Sequence, residues 1–401
     1  MKIVHIQASM PPAGNAAYRL STAMRSCGLD SCVVNLSPSA KKDFAFEYTQ
    51  IVGGIGAKTL NYANRKLQKY RIKKDAYFYS VMPIIGRDIA EMPQVKEADV
   101  VYIHWTAGFL TMRNIEKLAQ TGKPIFFFMH DMWPFTGGCH HSLNCDKYAK
   151  SCEDCKMFEW NNPFPSKQLQ EKEHVFSKYP NINFISPSKW MAACAQKSIV
   201  MRSKTVYVIP NIVDERIFKP LDKKIVRDIL NLPQDKTIIT FGCVAGQGNP
   251  FKGWKYLEEA VNKLNLDNIL IVVYGSGYNQ ATVDAVKYPI HFLGRVYDET
   301  MLALICNAAD VFISPSLSES FGLTFLENML CNTPVVGFDC TAIPELVKTG
   351  VTGYLAKFKD SDDLAHGIEA LVNGMPLNSE EWHYSSDEII SMHKDLISKC
   401  K

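Results

Sequence analysis

The stretch from Val311 to Glu327 restricts the possible fold more than any other part of the chain. It begins with a short apolar run, Val311 to Ile313, passes through a turn rich in serine and proline, and ends in residues with helical spacing. An apolar run of this length, bounded by turn residues, predicts a buried strand. Ser318 or Ser320 is then in a position to cap the helix that follows.

Glu327 is the unusual residue of this predicted helix. It lies between Leu323 and Leu330 on the face that also carries Leu326. A carboxylate on such a face is costly unless another group hydrogen-bonds it, and a buried Lys or Arg would satisfy it. A ligand is the alternative, because ligands of open α/β sheets bind at the carboxyl ends of strands, and N–H groups at a helix amino terminus bind phosphate.

Two glutamates, Glu319 and Glu327, flank a Phe-Gly pair with seven residues between them, and a predicted strand at Thr333–Val336 follows. This arrangement resembles the donor-site signature of the retaining glycosyltransferases of family 4. The resemblance implies the glycosyltransferase-B fold, an α/β architecture of two facing doubly wound, Rossmann-like domains with the active site in the cleft between them. It also implies that Glu319 faces the donor sugar and that Glu327 holds the ribose of the nucleotide. The implied donor-binding residues of the turn and helix start are Ser320, Phe321, Gly322 and Leu323.

Composition is consistent with two globular domains. The chain has 401 residues, of which 47% are hydrophobic and 21% are charged. Its formal net charge of +3 argues against a dedicated nucleic-acid-binding protein. No apolar run reaches the roughly 18 residues of a membrane span, and the first residues predict a strand in place of a secretion signal. We therefore expect a cytoplasmic protein with mostly reduced cysteines.

Apolar runs along the chain predict the order of the strands. They lie at Lys2–Gln7, Ser31–Leu36, Asp99–His104, Pro124–His130, Ile182–Ser186, Thr237–Gly242, Asn268–Gly275, Pro289–Gly294 and Gly350–Leu355. The segment from Val206 to Asp214 resembles the interdomain joint of family 4, and Pro210 stiffens it. We predict an acceptor-side domain over 1–214 and a nucleotide-sugar-binding domain over 215–375. The same resemblance implies that a tail over 376–401, with a helix at Glu380–Cys400, packs back toward the first domain.

Two histidines end neighbouring predicted strands of the first domain. His130 precedes Asp131 and, by the resemblance, hydrogen-bonds the donor sugar as a catalytic residue. A structural role is the alternative for a single histidine. His104, together with Trp105, is a candidate for the acceptor side.

Lys252 is the candidate cation for the diphosphate, because it lies in a loop where a helix begins. Family 4 commonly carries an arginine about six residues earlier, where this chain has Gly246. Arg295, after another predicted strand, is the candidate substitute. Gly14 and Gly275 follow strands and permit close approach of a ligand to the backbone, although a plain turn explains each of them as well.

The segment 58–74 contains seven basic residues and no acidic one. On a helix, most of these cations fall opposite an apolar side formed by Leu60, Ala63, Leu67 and Tyr70. This pattern predicts a helix that lies on an anionic membrane surface, here the inner face of the membrane. Several members of family 4 use a basic helix in this way to reach lipid-linked acceptors. A solvated face of an ordinary surface helix is the alternative.

Four cysteines mark an insertion over 139–155. They are Cys139, Cys145, Cys152 and Cys155, in the pattern Cys-x5-Cys-x6-Cys-x2-Cys. Four thiols in a short polar loop suit one tetrahedral zinc ion, which would be structural because no coordination position is left for water. Disulfides and free thiols are the alternatives. Cysteine-bearing loops after His-Asp-Met-Trp also occur in a subgroup of family 4.

We therefore predict transfer of a sugar from a UDP- or GDP-linked donor to a glycan or polyprenyl-linked acceptor, with retention at the anomeric carbon, in polysaccharide or glycoconjugate synthesis. No cofactor is expected for catalysis, since Lys252 and the N–H groups near Phe321 and Gly322 suit the charge on the leaving diphosphate. A non-catalytic glycan- or sugar-nucleotide-binding subunit is one alternative, motivated by the absent arginine. A sugar-nucleotide epimerase or a phosphorylase of the same fold is another.

Overall fold

The computed structural model describes residues 1–9, 15–36, 45–47, 59, 62–63, 66, 72–73, 79–83, 85–158, 160–242, 249–379 and 383–400. The chain divides into two compact units. The first comprises Met1–Ile212 together with Asp387–Lys401, and the second comprises Val213–Ser386. The division lies two residues before Asp214, and the last helix belongs to the first unit.

The first unit contains a parallel sheet of seven described strands. They are β1 (Lys2–Gln7), β2 (Asp30–Asn35), β3 (Ala45–Glu47), β4 (Val100–Ile103), β5 (Ile125–Phe128), β6 (Ile182–Ser186) and β7 (Val206–Val208). Their order in the sheet is β3-β2-β1-β4-β5-β6-β7. The direction of winding therefore reverses between β1 and β4, as in a doubly wound fold.

The second unit contains a parallel sheet of six described strands. They are β8 (Thr237–Gly242), β9 (Ile269–Tyr274), β10 (Ile290–Gly294), β11 (Val311–Ser314), β12 (Val335–Phe338) and β13 (Gly353–Ala356). Their order is β10-β9-β8-β11-β12-β13, which places the reversal between β8 and β11. The predicted fold class, an α/β fold with two doubly wound sheets, is confirmed.

Helices cover the faces of both sheets. In the first unit they are α1 (Asn15–Ser26), α2 (Pro93–Lys96), α3 (Met112–Gln120), α4 (Phe164–Lys178) and α5 (Lys189–Lys197). In the second unit they are α6 (Lys223–Ile229), α7 (Trp254–Lys263), α8 (Gln280–Ala285), α9 (Glu299–Ala308), α10 (Leu323–Leu330), α11 (Ile343–Leu346) and α12 (Ser361–Val372). The last helix, α13 (Ser386–Cys400), returns to the first unit and begins six residues after the predicted start.

The strand β11 shows why these apolar runs form central strands. Val311 and Ile313 pack into one core cluster with α7 and α12, while Phe312 packs into a second cluster with α9 and α10. Alternate side chains of a strand point to opposite faces, so a strand covered on both sides is apolar throughout. All three side chains are at most 1% exposed.

The basic segment 58–74 is described only in part. Thr59, Tyr62, Ala63 and Lys66 are helical and exposed. Lys73 is not helical. Its N–H donates to the carbonyl oxygen of Met157 at 3.0 Å and not to a carbonyl oxygen of a preceding helical turn. The prediction of one helix through Lys73 is therefore wrong at its carboxyl end. Within the described ranges, no helix combines the length and apolar composition that crossing a membrane requires.

The loops that follow β8 and β11 touch through their backbones. The N–H of Leu317 donates to the carbonyl oxygen of Phe251 at 2.7 Å. Gly253 has a φ of 66°, and a Cβ on it would lie 1.9 Å from the carbonyl oxygen of Pro315. Only glycine fits here, because any other residue would meet both a backbone clash and the strain of the left-handed region.

We expect Gly253→Ala to lower the free energy of unfolding by about 2–4 kcal/mol, from the left-handed strain and the overpacking together. Denaturant unfolding measures this change. Gly277→Ala is the matched control, since a Cβ at Gly277 would meet no atom within 4 Å. Equal stabilities of the two variants would show that the loops are not in this close contact.

Candidate functional site

The side chains of Lys252 and Glu319 meet at the reversal point of the second sheet. Nζ of Lys252 lies 2.6 Å from Oε1 of Glu319, and the two side chains are only 26% and 15% exposed. A pair this shielded from water interacts more strongly than a surface pair, although desolvation offsets part of the gain. The sequence predicts both residues for donor binding but not their contact.

A third loop, the one after β12, holds the backbone of Glu319. The N–H of Glu319 donates to Oγ1 of Thr341 at 3.0 Å. The carbonyl oxygen of Glu319 accepts from the N–H of Ala342 at 3.3 Å. Since the carboxyl ends of β8, β11 and β12 are adjacent, three loops meet at one residue, Glu319.

The helix α10 begins directly after this carboxylate without a side-chain cap. Gly322 is the residue at its amino terminus, with a φ of 100°, and it provides no side-chain cap. The prediction that Ser318 or Ser320 caps the helix is therefore wrong, because the left-handed glycine starts the helix closer to Leu323. Uncapped N–H groups and the positive end of the helix dipole favour an anion here.

Glu327 is buried, with 4% of its surface exposed. The helix is buried over all of Phe325–Met329, whereas Leu323 and Leu330 are half-buried, so the predicted apolar stripe is too narrow. The pKa of Tyr274, at the end of β9, is raised mainly by burial. The nearby charges of the Cys306 thiolate and the Glu327 carboxylate raise it further. The carboxylate of Glu327 is therefore near enough to the Tyr274 side chain to act on its titration.

Arg295 and Gly275 are two further residues predicted for ligand binding, and the structure describes both. Arg295 is exposed beyond β10, two strands from β8, and makes no ion pair with the described residues. The N–H of Gly275 donates to the carbonyl oxygen of Gly294 at 2.7 Å, so it closes a turn and is not available to a nucleotide. Gly14 and Gly246 lie outside the described residues.

In the first unit, His130 follows β5 and is hydrogen-bonded to His104. Nε2 of His130 lies 2.7 Å from Nδ1 of His104. Burial lowers the pKa of His130 to about 4, while the nearby charge of Asp131 opposes this shift. His130 is therefore neutral at pH 7. His104 is buried, with 4% of its surface exposed, so His130 is the more exposed residue of this pair.

Asp131 belongs to a second network that the sequence did not indicate. Its carboxylate accepts from the N–H of Trp133 at 2.8 Å and lies 2.6 Å from Nδ1 of His140. Nε2 of His140 lies 2.7 Å from Oγ of Ser80. The network joins the end of β5 to the start of the cysteine loop, and it depends on Ser80, 60 residues earlier in the chain.

Lys172 is a fully buried cation beneath the same loop. Its Nζ donates to the carbonyl oxygens of Trp133 and Thr136, and it lies 3.9 Å from the centre of the Trp133 ring. Burial lowers the pKa of Lys172 to about 7. This lysine fixes the backbone that leads into Cys139, and its position on α4 gave no signal in the sequence.

The four cysteines of the insertion surround one small cavity. Cys139, Cys145, Cys152 and Cys155 all line a cavity of about 20 Å³. None of the four forms a disulfide bond. Burial raises the pKa of Cys152 to about 11, although a hydrogen bond from the Gly137 backbone opposes the rise. Among the described residues, no group of three or more histidine, cysteine or acidic side chains is positioned to hold a metal ion, so zinc remains a prediction from the spacing.

We expect elemental analysis of the purified protein to find about one zinc ion per chain, since thiolates gain metal bonds that the protonated thiols lack. Chelation should then increase hydrogen exchange over 139–155. Cys145→Ser should abolish zinc binding, while Cys27→Ser, a substitution of a single cysteine elsewhere, should not change it. Metal-free protein with four rapidly titrated thiols would contradict the prediction.

Comparison with known sequences assigns part of the second unit to a protein family. Residues 236–374 match the family model for glycosyl transferases group 1. The D-inositol 3-phosphate glycosyltransferase of Mycolicibacterium paratuberculosis is 33% identical over 168 residues, which cover 40% of this chain and 37% of that protein. The chain thus spans little more than a third of the length of the curated relatives that it matches.

Comparison with solved structures extends over the whole chain. Sucrose-phosphate synthase from Thermosynechococcus elongatus aligns with a TM-score of 0.68 and 18% identity, covering 100% of this chain and 98% of that one. HepE of Anabaena, in complex with UDP and glucose, aligns with a TM-score of 0.59 and 18% identity, covering 93% and 90%. At these identities the likeness shows the fold. The fold is of the glycosyltransferase-B type, and residues 236–374 form a group 1 glycosyltransferase domain.

Proposed function

We propose that this protein is a retaining glycosyltransferase of family 4, which moves a sugar from a nucleotide diphosphate sugar to an acceptor hydroxyl. The observation that carries the proposal is the Lys252–Glu319 pair at the reversal point of the second sheet, beside the uncapped start of α10. Ligands of open α/β sheets bind at such a point. The match of residues 236–374 to group 1 glycosyltransferases supports it.

The donor diphosphate would take the place of Glu319 as the partner of Lys252. Two phosphate groups carry more negative charge than one carboxylate, and the N–H groups at the start of α10 add to the attraction. Glu319, once released from Lys252, would accept hydrogen bonds from hydroxyls of the sugar. Glu327 would hold the ribose, and His130 would hydrogen-bond the sugar.

The reaction would break the bond between the anomeric carbon and the diphosphate oxygen. The acceptor oxygen would form the new bond on the same face of the sugar, so the configuration is retained. The proton of the acceptor hydroxyl would pass to the departing diphosphate oxygen. Lys252 and the helix amides would stabilise the charge that grows on the diphosphate.

UDP-linked sugars are the first donors to test, because solved structures of HepE contain UDP and UDP-glucose. GDP-linked sugars remain candidates, and a panel of nucleotide sugars can be screened by thermal stabilisation.

We propose that the acceptor is a glycan or a polyprenyl-linked molecule in polysaccharide or glycoconjugate synthesis. The protein would reach this acceptor at the inner face of a membrane, to which the basic segment 58–74 would bind.

We expect Lys252→Met to weaken UDP-glucose binding about tenfold to 100-fold, since one charge-assisted hydrogen bond contributes about 1.5–3 kcal/mol. Glu319→Gln should weaken UDP-glucose binding but leave UDP binding unchanged or stronger, because Lys252 is then released. Calorimetric titration of each variant with both ligands measures these differences. Lys255→Met, at an exposed lysine three residues later, is the matched control.

Glu327→Gln separates a ligand contact from a structural one. It should weaken binding of UDP and UDP-glucose alike, with little change in melting temperature. Normal binding by a variant that melts far lower would mean that Glu327 is structural. Wild-type protein that binds nucleotide sugars but neither hydrolyses nor transfers them would favour the non-catalytic alternative.

We expect the protein to bind liposomes that contain phosphatidylglycerol at low salt and to be released at high salt, because each Lys or Arg contributes about 1 kcal/mol near an anionic surface. Lys66→Glu combined with Lys69→Glu should abolish binding in a flotation assay. Lys255→Glu serves as the control for charge reversal elsewhere. Wild-type protein that ignores these liposomes at low salt would leave segment 58–74 as a solvated face and would favour a soluble acceptor.

A further inference from the structure

Three histidines lie side by side at the reversal point of the first sheet. His5 is in β1, His104 follows β4 directly, and His130 follows β5 by two residues, in strands that are adjacent in the order β1-β4-β5. The ring centres of His5 and His104 are 5.1 Å apart, and those of His104 and His130 are 5.0 Å apart. The ring planes are inclined by only 24° in the first pair and 14° in the second, so the rings of each pair are nearly parallel.

Hydrogen bonds join the three rings into one chain. Nδ1 of His5 lies 2.9 Å from Nε2 of His104, and Nδ1 of His104 lies 2.7 Å from Nε2 of His130. All three rings are neutral at pH 7, because burial lowers the pKa of His5 to about 3, that of His130 to about 4, and that of His104 well below its usual value.

Only two arrangements of protons satisfy both bonds. Each neutral imidazole carries one N–H, and each bond needs one donor and one acceptor. If His104 is protonated at Nδ1, it donates to His130, and His5 must donate from its own Nδ1. If His104 is protonated at Nε2, both directions reverse. The three rings are therefore all protonated at Nδ1 or all at Nε2.

The inner end of the chain distinguishes these arrangements. Nε2 of His5 is buried and has no hydrogen-bond partner among the described residues. Two further titratable groups lie near His5. His393 on α13 also lowers the pKa of His5, and the ring of Tyr102 is centred 5.0 Å from that of His5. The hydroxyl of Tyr102 lies 3.0 Å from Nδ1 of His393. Protonation of all three rings at Nε2 would place a buried N–H of His5 where no described residue accepts it. Such orphaned donors are rarer than under-satisfied acceptors.

The outer end of the chain is His130. Its ring is half-buried, and its Nδ1 makes no hydrogen bond within the described part of the chain. When all three rings are protonated at Nδ1, this atom carries an N–H that has no acceptor among the described residues. A neutral donor suits a hydroxyl oxygen or a phosphate oxygen.

We propose that His104 and His5 are positioning residues that fix His130 in the Nδ1-protonated tautomer, so that it offers one hydrogen-bond donor to an oxygen atom of the bound ligand. That this ligand is a nucleotide sugar rests on the proposed function above. The tautomer itself does not, because it follows from the three rings and the buried end of their chain.

Nitrogen-15 NMR of ring-labelled histidine tests the tautomer in the wild-type protein without any ligand. We expect His130 to show a pyrrole-type Nδ1 and a pyridine-type Nε2 at pH 7, with its signals assigned by their loss in His130→Gln. A pyridine-type Nδ1 would overturn the proposal, and so would two pyrrole-type nitrogens, which indicate a protonated ring.

Variants of His104 test the positioning role. His104→Phe keeps a flat ring but removes both hydrogen bonds, so we expect His130 to lose its fixed tautomer and UDP-glucose to bind about tenfold more weakly. His104→Gln should restore most of the fixed tautomer of His130 and most of the affinity for UDP-glucose. Its amide oxygen can accept from His5, and its amide nitrogen can donate to His130. His393→Phe, in the same buried cluster but outside the chain, is the matched control and should change neither readout.

The two readouts separate the proposal from the function on which it rests. If His104→Phe leaves the tautomer of His130 unchanged, the positioning role is wrong, whatever the protein binds. If the wild-type protein shows the expected tautomer but binds no nucleotide sugar, the proposed function is wrong and the positioning of His130 stands.

Discussion

The candidate site depends on the backbone contact between the loops that follow β8 and β11. Gly253 lies against Pro315, and Leu317 is hydrogen-bonded to Phe251, so no side chain separates the two loops. This contact sets the distance between Lys252 and its partner carboxylate on the neighbouring loop. The sheet order creates the meeting point, and a single glycine allows the approach. An added methyl group at that glycine would therefore act on binding through geometry, without removing any charged group.

The two units use opposite chemistry at equivalent places in their sheets. The second unit places a cation, a carboxylate and a helix amino terminus at its reversal point, and these attract anions. The first unit places three imidazoles at its own reversal point, His5 and His104 buried and His130 half-buried, and their burial keeps them neutral. Anion binding by the second unit should therefore weaken with salt, whereas the hydrogen bonding of His130 should depend little on salt or on pH near neutrality.

The sequence predicts the strands and the burial of single residues, but it misses the side-chain contacts that arise from the order of the strands in each sheet. Apolar runs locate the central strands because these strands are buried on both faces, and the apolar neighbours of Glu327 correctly indicate that it is buried. The predicted start of α10 is wrong because the left-handed Gly322 takes the cap position that the prediction gives to a serine. The Lys252–Glu319 pair, 67 residues apart, and the His140–Ser80 contact arise only when distant strands become neighbours. Spacing along the chain carries no signal for such contacts.

The most direct test of the central claim is a crystal structure of the protein with UDP bound. The claim is that the Lys252–Glu319 pair marks the position of the donor diphosphate. We expect Nζ of Lys252 to lie within hydrogen-bonding distance of a phosphate oxygen, beside the first turn of α10, and Lys252 and Glu319 to have separated. UDP bound elsewhere in the protein, with the 2.6 Å ion pair intact, would contradict the account.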